Sequence, residues 1–200
     1  MDGIDWAAGA MLAARTRLEI ATDNLANVST DGFHRALARG RLTGRGVEIT
    51  RLVSDERGAF RKTGRPFDLA IVGEGAFRVR DRHGRVSATR DGAFERDRFG
   101  VLRDGQGRVV LGAHGAVRVP AGAAIDERGR VLLHGVAIDR IATGGDAILR
   151  AGFLETSNVS AIDEMVDVLR AQRSFESAEK TVSAIDGVRE KSSNDVARVK

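Results

Sequence analysis

The chain has 200 residues, of which 42% are hydrophobic, 30% are charged and 4% are aromatic. This length suits one ordinary domain or two small ones, with a core built mainly from Val, Leu, Ile and Ala. Because cysteine is absent, a disulfide framework, a thiolate zinc site and a cysteine nucleophile are excluded. The formal net charge is +4, but the arginines are spread along the chain beside acidic residues, which favours a solvated surface over a nucleic-acid site.

The N-terminal segment lacks the features of a secretory signal. It reads MDGIDWAAGAMLAARTRLEI, with acids where a basic region belongs, and Arg15 and Arg17 interrupt its apolar run. No apolar run approaches the roughly 18 residues of a transmembrane helix. We therefore expect neither a cleaved signal peptide nor membrane insertion, so that export would need another route.

Residues 4–28 carry a heptad pattern of apolar side chains. Two sets recur every seven residues with an offset of three: Ile4, Met11, Leu18 and Leu25, and Ala7, Ala14, Ala21 and Val28. This alternation is typical of a coiled-coil seam. A helix with so narrow a stripe is marginal alone, so it needs a partner helix. We expect poorly ordered ends in the isolated monomer.

The C-terminal region predicts that partner. Ser157 or Asn158 can cap a helix there, and Asp163 and Glu164 oppose the helix dipole in its first turns. The region carries two apolar stripes: Val159, Ile162, Val166 and Leu169, and then Phe175, Ala178, Val182 and Ile185. Gln172 and Arg173 separate the stripes. They indicate either a surface helix whose stripe drifts or a polar layer that sets register or contacts another subunit.

Between these helices the turn sequence Asp-x-x-Gly occurs four times, each time before a strand-like run. The copies are DRHGRV (81–86), DRFGVL (97–102), DGQGRV (104–109) and DERGRV (126–131). Asp at the first position caps a type I turn, and Gly three residues later accepts the positive φ that closes a hairpin with a bulge. Calcium loops also combine Asp and Gly, but their further acidic ligands are missing here.

These patterns predict an α+β fold, in which an antiparallel, hairpin-rich β domain lies between N- and C-terminal helices that pair as a coiled coil. The predicted segments are an N-terminal helix with an Asn-rich motif (1–35), a connecting segment (36–62), the β domain (63–153), a C-terminal helix (154–190) and a polar tail (191–200). The helices must meet across about 130 residues, which suits packing late in folding or in an assembly.

No pattern in the sequence indicates catalysis, a cofactor or a metal. The four histidines (His34, His83, His114 and His134) are far apart and form no ligand pair. GEGAF (73–77) resembles the start of a phosphate loop, but its third Gly is missing and a strand follows, which favours a bend. A basic nucleic-acid-binding module and a small enzyme using the 73–77 turn remain as alternatives.

Four motifs in order closely resemble the bacterial flagellar basal-body rod and hook proteins. NLANVSTDGFHR (24–35) resembles the family's motif after the first helix, and TGRPFDLAIVGEGAFRV (63–79) resembles a strand of rod proteins with a central β domain. TRDGAF (89–94) and LETSNVSAIDEMVDVLRAQRSFE (154–176) resemble the next two. Departures include Asp23 for the first Asn of a pair and Ala76 for a Phe.

The resemblance implies roles for two sets of residues. The signature motif comprises Asn24, Leu25, Ala26, Asn27, Thr30, Gly32 and Phe33, and the C-terminal motif comprises Ser157, Asn158, Val159, Glu164, Met165, Gln172 and Arg173. An ordinary helix cap needs only Asn27 or Gly32. Because such a cap leaves the other polar residues unexplained, Asn24, Asn27, Ser29 and Thr30 are expected to satisfy backbone groups at the helix end and to bond to a neighbouring subunit.

The resemblance also implies the function: a structural subunit that polymerises into the rod, the axial drive shaft across the periplasm, without an enzyme activity. Its partners would be itself, other rod and hook subunits, and the flagellar type III export apparatus, with no nucleic acid. The assembly seam would pair Ile4, Met11, Leu18 and Leu25 with Val159, Ile162, Val166 and Leu169. The short β domain favours a rod component near the base. A hook-type or repurposed axial protein of the same family is the alternative.

Overall fold

The computed structural model describes residues 3–44, 46–144 and 147–198, with side chains up to Lys191. The chain divides into two compact units. The helix unit comprises Met1–Val28, Arg35–Asp55 and Val159–Lys200, and the β unit comprises Ser29–His34 and Glu56–Asn158. The architecture is α+β with terminal helices and antiparallel sheets, as the sequence predicts.

The helix unit contains two helices and one hairpin: α1 (Gly3–Ala26), β1 (Ala36–Thr43), β2 (Gly46–Val53) and α2 (Ala161–Arg198). Residues 36–53 were expected to be a connecting segment. They instead pair over their full length, from Ala36 opposite Val53 to Thr43 opposite Gly46. α2 also continues to Arg198, so its backbone has no break where the polar tail was expected to begin.

α1 and α2 pack against each other in antiparallel directions. A Cβ placed on Gly3 would lie 3.3 Å from Ile185 Cδ1, and Asn24 Nδ2 lies 3.1 Å from Glu164 Oε2. The residue numbers of both pairs add up to 188. To within one residue, this register brings Ala14 level with Phe175. Small side chains on one helix therefore lie level with large ones on the other, which allows close approach.

The face of α2 that packs on α1 is the second apolar stripe, not the first. Ala171 and Ala178 are buried, and Phe175, Val182 and Ile185 are half-buried. Ile162, Val166 and Leu169 are exposed, so their expected pairing with α1 is wrong within one chain. The physical reason is that Ala171, rather than Gln172 or Arg173, lies on the face of α2 that packs against α1. On α1 the seam alanines Ala7, Ala14 and Ala21 are buried, while Ile4, Met11, Leu18 and Leu25 are half-buried.

The described residues of the β unit form thirteen short strands: β3 (Phe60–Lys62), β4 (Leu69–Val72), β5 (Phe77–Arg80), β6 (Val86–Thr89), β7 (Phe94–Arg96), β8 (Leu102–Asp104), β9 (Val109–Gly112), β10 (Gly115–Ala116), β11 (Ala124–Ile125), β12 (Arg130–Leu133), β13 (Val136–Arg140), β14 (Ile148–Ala151) and β15 (Phe153–Glu155). The largest sheet has the order β6-β5-β9-β8-β7, with β10 beside β9. Smaller sheets are β11-β12-β13, β14-β4 and β15-β3.

The main hydrophobic core lies inside the β unit. It is aliphatic apart from Phe77 and Phe94, whose rings meet edge to face with centroids 4.9 Å apart. Leu69, Ile71 and Val79 pack into the same cluster from β4 and β5. Alternate residues of β5 point inward and outward, so that its arginines are exposed while its apolar residues are buried. This core holds the loops that carry the family motifs.

All four Asp-x-x-Gly repeats form the predicted turns. In each one the Asp Oδ1 accepts backbone N–H bonds of 2.8–3.0 Å from the residues two and four positions later. The four glycines have φ between 73° and 84°. The bend expected at GEGAF is also present, with positive φ at Gly73 and Gly75 before β5. His83 and His114 lie exposed in turns, as expected.

Candidate assembly site and its motif clusters

A buried polar cluster, here called the helix-end cluster, joins three elements of the helix unit. Asn24 at the end of α1 accepts the N–H of Ala36 through Oδ1 at 2.8 Å and donates through Nδ2 to the Ala36 carbonyl at 2.8 Å. The same Nδ2 donates to Glu164 on α2. Arg35 closes the cluster by pairing with Glu164 and, at 3.2 Å, with Asp167. The hydrogen bonds of Asn24 thus tie α1, β1 and α2 together.

Burial makes the charges of this cluster depend on one another. Asn24 and Glu164 are each 1% exposed, and a buried carboxylate is costly unless it is paired and hydrogen-bonded. The hydrogen bond to Glu164 raises the pKa of Arg35 above its ordinary value, so the guanidinium stays charged. Removing Arg35 or Asn24 would leave Glu164 incompletely compensated.

The expectation that Asn24 bonds to a neighbouring subunit is wrong, because its amide is buried and used within the chain. Asn27 has the expected local role: its Nδ2 donates to the Asp23 carbonyl at 2.8 Å near the helix end. The replacement at Asp23 also has a partner, since its carboxylate pairs with Arg51 on β2. Ser29 and Thr30 are exposed, and for them a contact with another subunit stays a prediction.

A second cluster, here called the loop cluster, joins residues of all four family motifs inside the β unit. Glu155 on β15 is 1% exposed; its Oε2 accepts from Arg90 Nε at 2.8 Å, and its Oε1 lies 3.1 Å from His34 Nε2. Arg90 also donates to the carbonyls of Ile71 and Gly75, at 2.9 and 2.6 Å. These bonds connect the 29–34 loop, the 63–79 motif, the TRDG loop and the LET segment.

Gly32 allows the loops of this cluster to touch. Its N–H donates to the Glu155 carbonyl at 2.7 Å, and its φ is +69°. A Cβ at this position would lie 2.2 Å from the Asp91 nitrogen. Only glycine tolerates both the positive φ and the close approach. Asp31 beside it accepts from Arg61 on β3 at 2.7 Å, which attaches the same loop to a neighbouring strand.

Asn158, in the C-terminal motif, also bonds within the β unit. Its Nδ2 donates to the Glu56 carbonyl at 2.7 Å. Val159, which begins the helix unit's C-terminal segment, is buried, and the other C-terminal motif residues lie on α2 or just before it. Of these, Glu164 is buried in the helix-end cluster, whereas Met165, Gln172 and Arg173 are exposed.

The surface feature that remains is an apolar row on the first turns of α2, here called the α2 stripe. Its four side chains are Ile162, Met165, Val166 and Leu169, which are 75%, 53%, 39% and 54% exposed. Their i, i+3, i+4, i+7 spacing places them on one face of the helix. The α2 stripe is the candidate assembly site, because a contiguous apolar row on a surface helix marks an interaction surface.

Three family models match the chain in the order of these elements. A flagella basal body rod protein model matches residues 4–34 and covers α1 with the 29–34 loop. A model of the flagellar hook protein FlgE/F/G D1 domain matches residues 70–133 in the β unit. A model of the flagellar basal body rod FlgEFG protein C-terminal region matches residues 150–195, which include Glu155 and α2.

Proteins similar to this chain over most of its length include several that are named flagellar basal-body rod proteins. The flagellar basal-body rod protein FlgG of Buchnera aphidicola (from Acyrthosiphon pisum) is 29% identical over 90% of this chain and 94% of its own length. FlgG of Bacillus subtilis is 27% identical over 87% and 91%. The rod protein FlgF of Escherichia coli K12 is 27% identical over 90% and 92%. The chain belongs to the flagellar basal-body rod protein family.

Membership of the rod protein family makes the chain a structural subunit of the bacterial flagellar basal body. The family is not known as an enzyme family, and neither the nucleic-acid nor the hook-type alternative is favoured. Neither α1 nor α2, as described, is both long and apolar enough to cross a membrane. Among the described residues, no group of three or more His, Cys, Asp or Glu side chains could hold a metal ion.

In this rod protein, sequence reasoning missed the residues that lock the motifs together. Arg35, Ala36, Arg90 and Glu155 were not singled out, although all four stand inside or beside the quoted motifs. One available signal was charge. Glu155 is the only charged residue in 151–162, and a carboxylate in so apolar a segment is rarely buried unless a cation such as Arg90 pairs with it.

Proposed function

We propose that the chain polymerises into the axial rod of the flagellar basal body through the α2 stripe. The observation that carries this proposal is that four large apolar side chains stay exposed on α2, while the opposite face of that helix packs on α1. Fully burying one such side chain contributes about 1.5–3 kcal/mol. A repeated contact of this kind in every subunit would support a stable shaft.

The family supports the setting of this function. We infer assembly with other rod and hook subunits, coiled-coil pairing of α1 and α2 in the assembled rod, and a position in the part of the rod that spans the periplasm. Export through the flagellar type III apparatus is part of the same inference from the family. A place near the base of the rod remains part of the proposal, on the ground of the short β domain.

The test compares two substitutions on α2 in a strain whose own copy of the gene is deleted. Leu169→Asp puts a charge in the α2 stripe, whereas Val188→Asp makes the same kind of change at a position that is 68% exposed and outside it. Because neither side chain is buried, both purified monomers should unfold at the wild-type temperature. Electron microscopy should show truncated or missing rods for Leu169→Asp only. Full-length rods and normal motility with Leu169→Asp would contradict the proposal.

A further inference from the structure

The helix unit also has a groove between α1 and the β1–β2 hairpin, lined by both aliphatic and polar side chains. It has a volume of about 410 Å³ and is here called the hairpin groove; Gly9, Leu12, Gly46, Val47, Glu48 and Ile49 line it together with an alanine and two threonines. Leu12 forms an apolar lip and is 65% exposed. The volume lies within the ~300–1,000 Å³ of typical binding clefts.

Two glycines beside the groove let α1 and the β1–β2 hairpin pack closely on each other. A Cβ on Gly46 would lie 3.4 Å from Gly9 Cα, so α1 and β2 approach each other through their smallest residues. The walls beside them are the half-buried aliphatic side chains Val47 and Ile49. A groove with aliphatic side chains along its walls is suited to a row of aliphatic side chains on a helix.

Resting on the proposed function, we propose that the α2 stripe of one copy docks in the hairpin groove of a second copy. The stripe cannot fill the groove of its own chain, because it stays exposed there. The antiparallel register places residues 162–169 level with residues 19–26 of α1, away from Gly9 and Leu12. The two surfaces are therefore available to separate molecules.

Charge supports this pairing. Arg173 lies one turn beyond Leu169 on the same face of α2, is exposed and has no ion pair with a described residue. Glu48 on the groove wall is also exposed; it stands opposite Arg41 in the strand register but has no ion pair with a described residue. A docked stripe would bring these two unpaired opposite charges to the rim of one contact.

The pairing of two different surfaces has a consequence for the shape of the assembly. A contact between unlike patches is heterologous, so each copy keeps one free stripe and one free groove. Such a contact gives an open helical polymer unless its rotation closes into a ring. A stripe that paired with another stripe would instead give a closed dimer.

The chain has no native cysteine, so cross-linking can test the contact without background. Two variants, Leu12→Cys and Leu169→Cys, are expressed separately and together in cells that lack the native copy, and are treated with a short thiol-reactive cross-linker. We expect a covalent dimer only when both variants are present. A dimer formed equally by Leu169→Cys alone would overturn the proposal in favour of stripe-to-stripe pairing. Assembled rods without the mixed dimer would overturn it while leaving the proposed function intact.

The second measurement exchanges the charges of Glu48 and Arg173 and leaves the apolar residues of the stripe and the groove unchanged. Glu48→Arg and Arg173→Glu alone should each reduce the yield of intact rods by about threefold, since each leaves one charge of the pair facing a like charge. The double variant should recover most of the yield. A double variant no better than its parents would count against docking in this groove, whereas the absence of rods from the wild-type chain would reject the proposed function.

Discussion

At the scale of single residues, the family motifs of this chain act mainly inside it. Asn24 uses its amide on Ala36 and Glu164, 12 and 140 residues away in the chain. Arg90 similarly uses its guanidinium on Glu155 and on carbonyls of the β unit. A motif that identifies the family can therefore owe its composition to buried hydrogen bonds, which are costly to leave unmade.

Gly32 offers a direct test of the loop cluster. Gly32→Ala should lower the free energy of unfolding by about 3 kcal/mol, because the new Cβ meets the backbone of residues 90 and 91 and the φ is positive. Gly84→Ala is the control, since its φ is +84° but nothing lies within 4 Å of the new Cβ, and it should cost about 1 kcal/mol. If urea denaturation showed that both variants lose the same free energy of unfolding, the close approach at Gly32 would be contradicted.

The Asp-x-x-Gly turns predict a pH dependence of stability. The hydrogen bond from Arg103, with backbone N–H bonds from Val101 and Phe99, lowers the pKa of Asp97 below its ordinary 3.8. A lowered folded-state pKa contributes stability above pH 3.8, and this is lost as the pH falls through the lowered value. Asp97→Asn should therefore flatten the acid loss of stability below about pH 4, measured by urea denaturation at a series of pH values.

Asp91 provides the comparison of opposite sign. Its partial burial raises its pKa, so the folded state binds this proton more readily than the unfolded chain does. That contribution favours the folded state as the pH falls, and Asp91→Asn should steepen the acid loss. If both variants changed the slope in the same direction, the assignment of these two pKa shifts would be wrong.

At the scale of elements, α2 has two apolar faces with separate uses. The face with Ala171 and Ala178 packs on α1, and the α2 stripe stays exposed. The hairpin β1–β2 is the other element with a double role, since it packs on α1 and forms one wall of the hairpin groove. Each contact inside the helix unit thus positions an exposed surface that takes part in the proposed assembly.

A substitution on the packed face of α2 should behave unlike one on the stripe. Ala178→Asp should lower the free energy of unfolding of the helix unit by about 2–4 kcal/mol, because it buries a charge against α1. Ser177→Asp, at the exposed neighbouring position, should change it by less than about 0.5 kcal/mol. Thermal unfolding, monitored by the circular dichroism signal of the helices, checks both variants. Equal stability of the two variants would contradict the register of the helices.

At the scale of the whole molecule, charge is unevenly divided. The ranges of the β unit contain 18 Lys and Arg against 14 Asp and Glu, whereas those of the helix unit contain 14 of each. The whole net charge of +4 therefore belongs to the β unit. A neutral helix unit limits repulsion between copies that pack through their helices, which agrees with the proposed assembly.

The two units should also differ in local stability. The β unit has an aliphatic core around Leu69, Ile71 and Leu102, while the seam of the helix unit is largely alanine. In hydrogen exchange of the monomer, amides of β5 and β8 should exchange at least about tenfold more slowly than those of α1. Equal protection would contradict this difference. The same measurement tests the expectation of poorly ordered ends.

Sequence patterns predicted the features that depend on neighbours along the chain. The four Asp-x-x-Gly turns, the position of α1, the α+β class and the rod family all follow from short motifs or from a period of seven residues. These features were predictable because backbone turns and helical faces are decided within a few residues.

Only the tertiary structure decided which apolar face of α2 is buried and which polar motif residues are internal. Both apolar stripes of α2 have helical spacing, so the spacing does not show which of them is buried. The second stripe is buried because Ala171 and Phe175 lie on the face that packs against α1. The 36–53 hairpin likewise forms beside a helix that supplies a packing surface. These outcomes rest on contacts between residues far apart in the chain, whose free energy no local pattern contains.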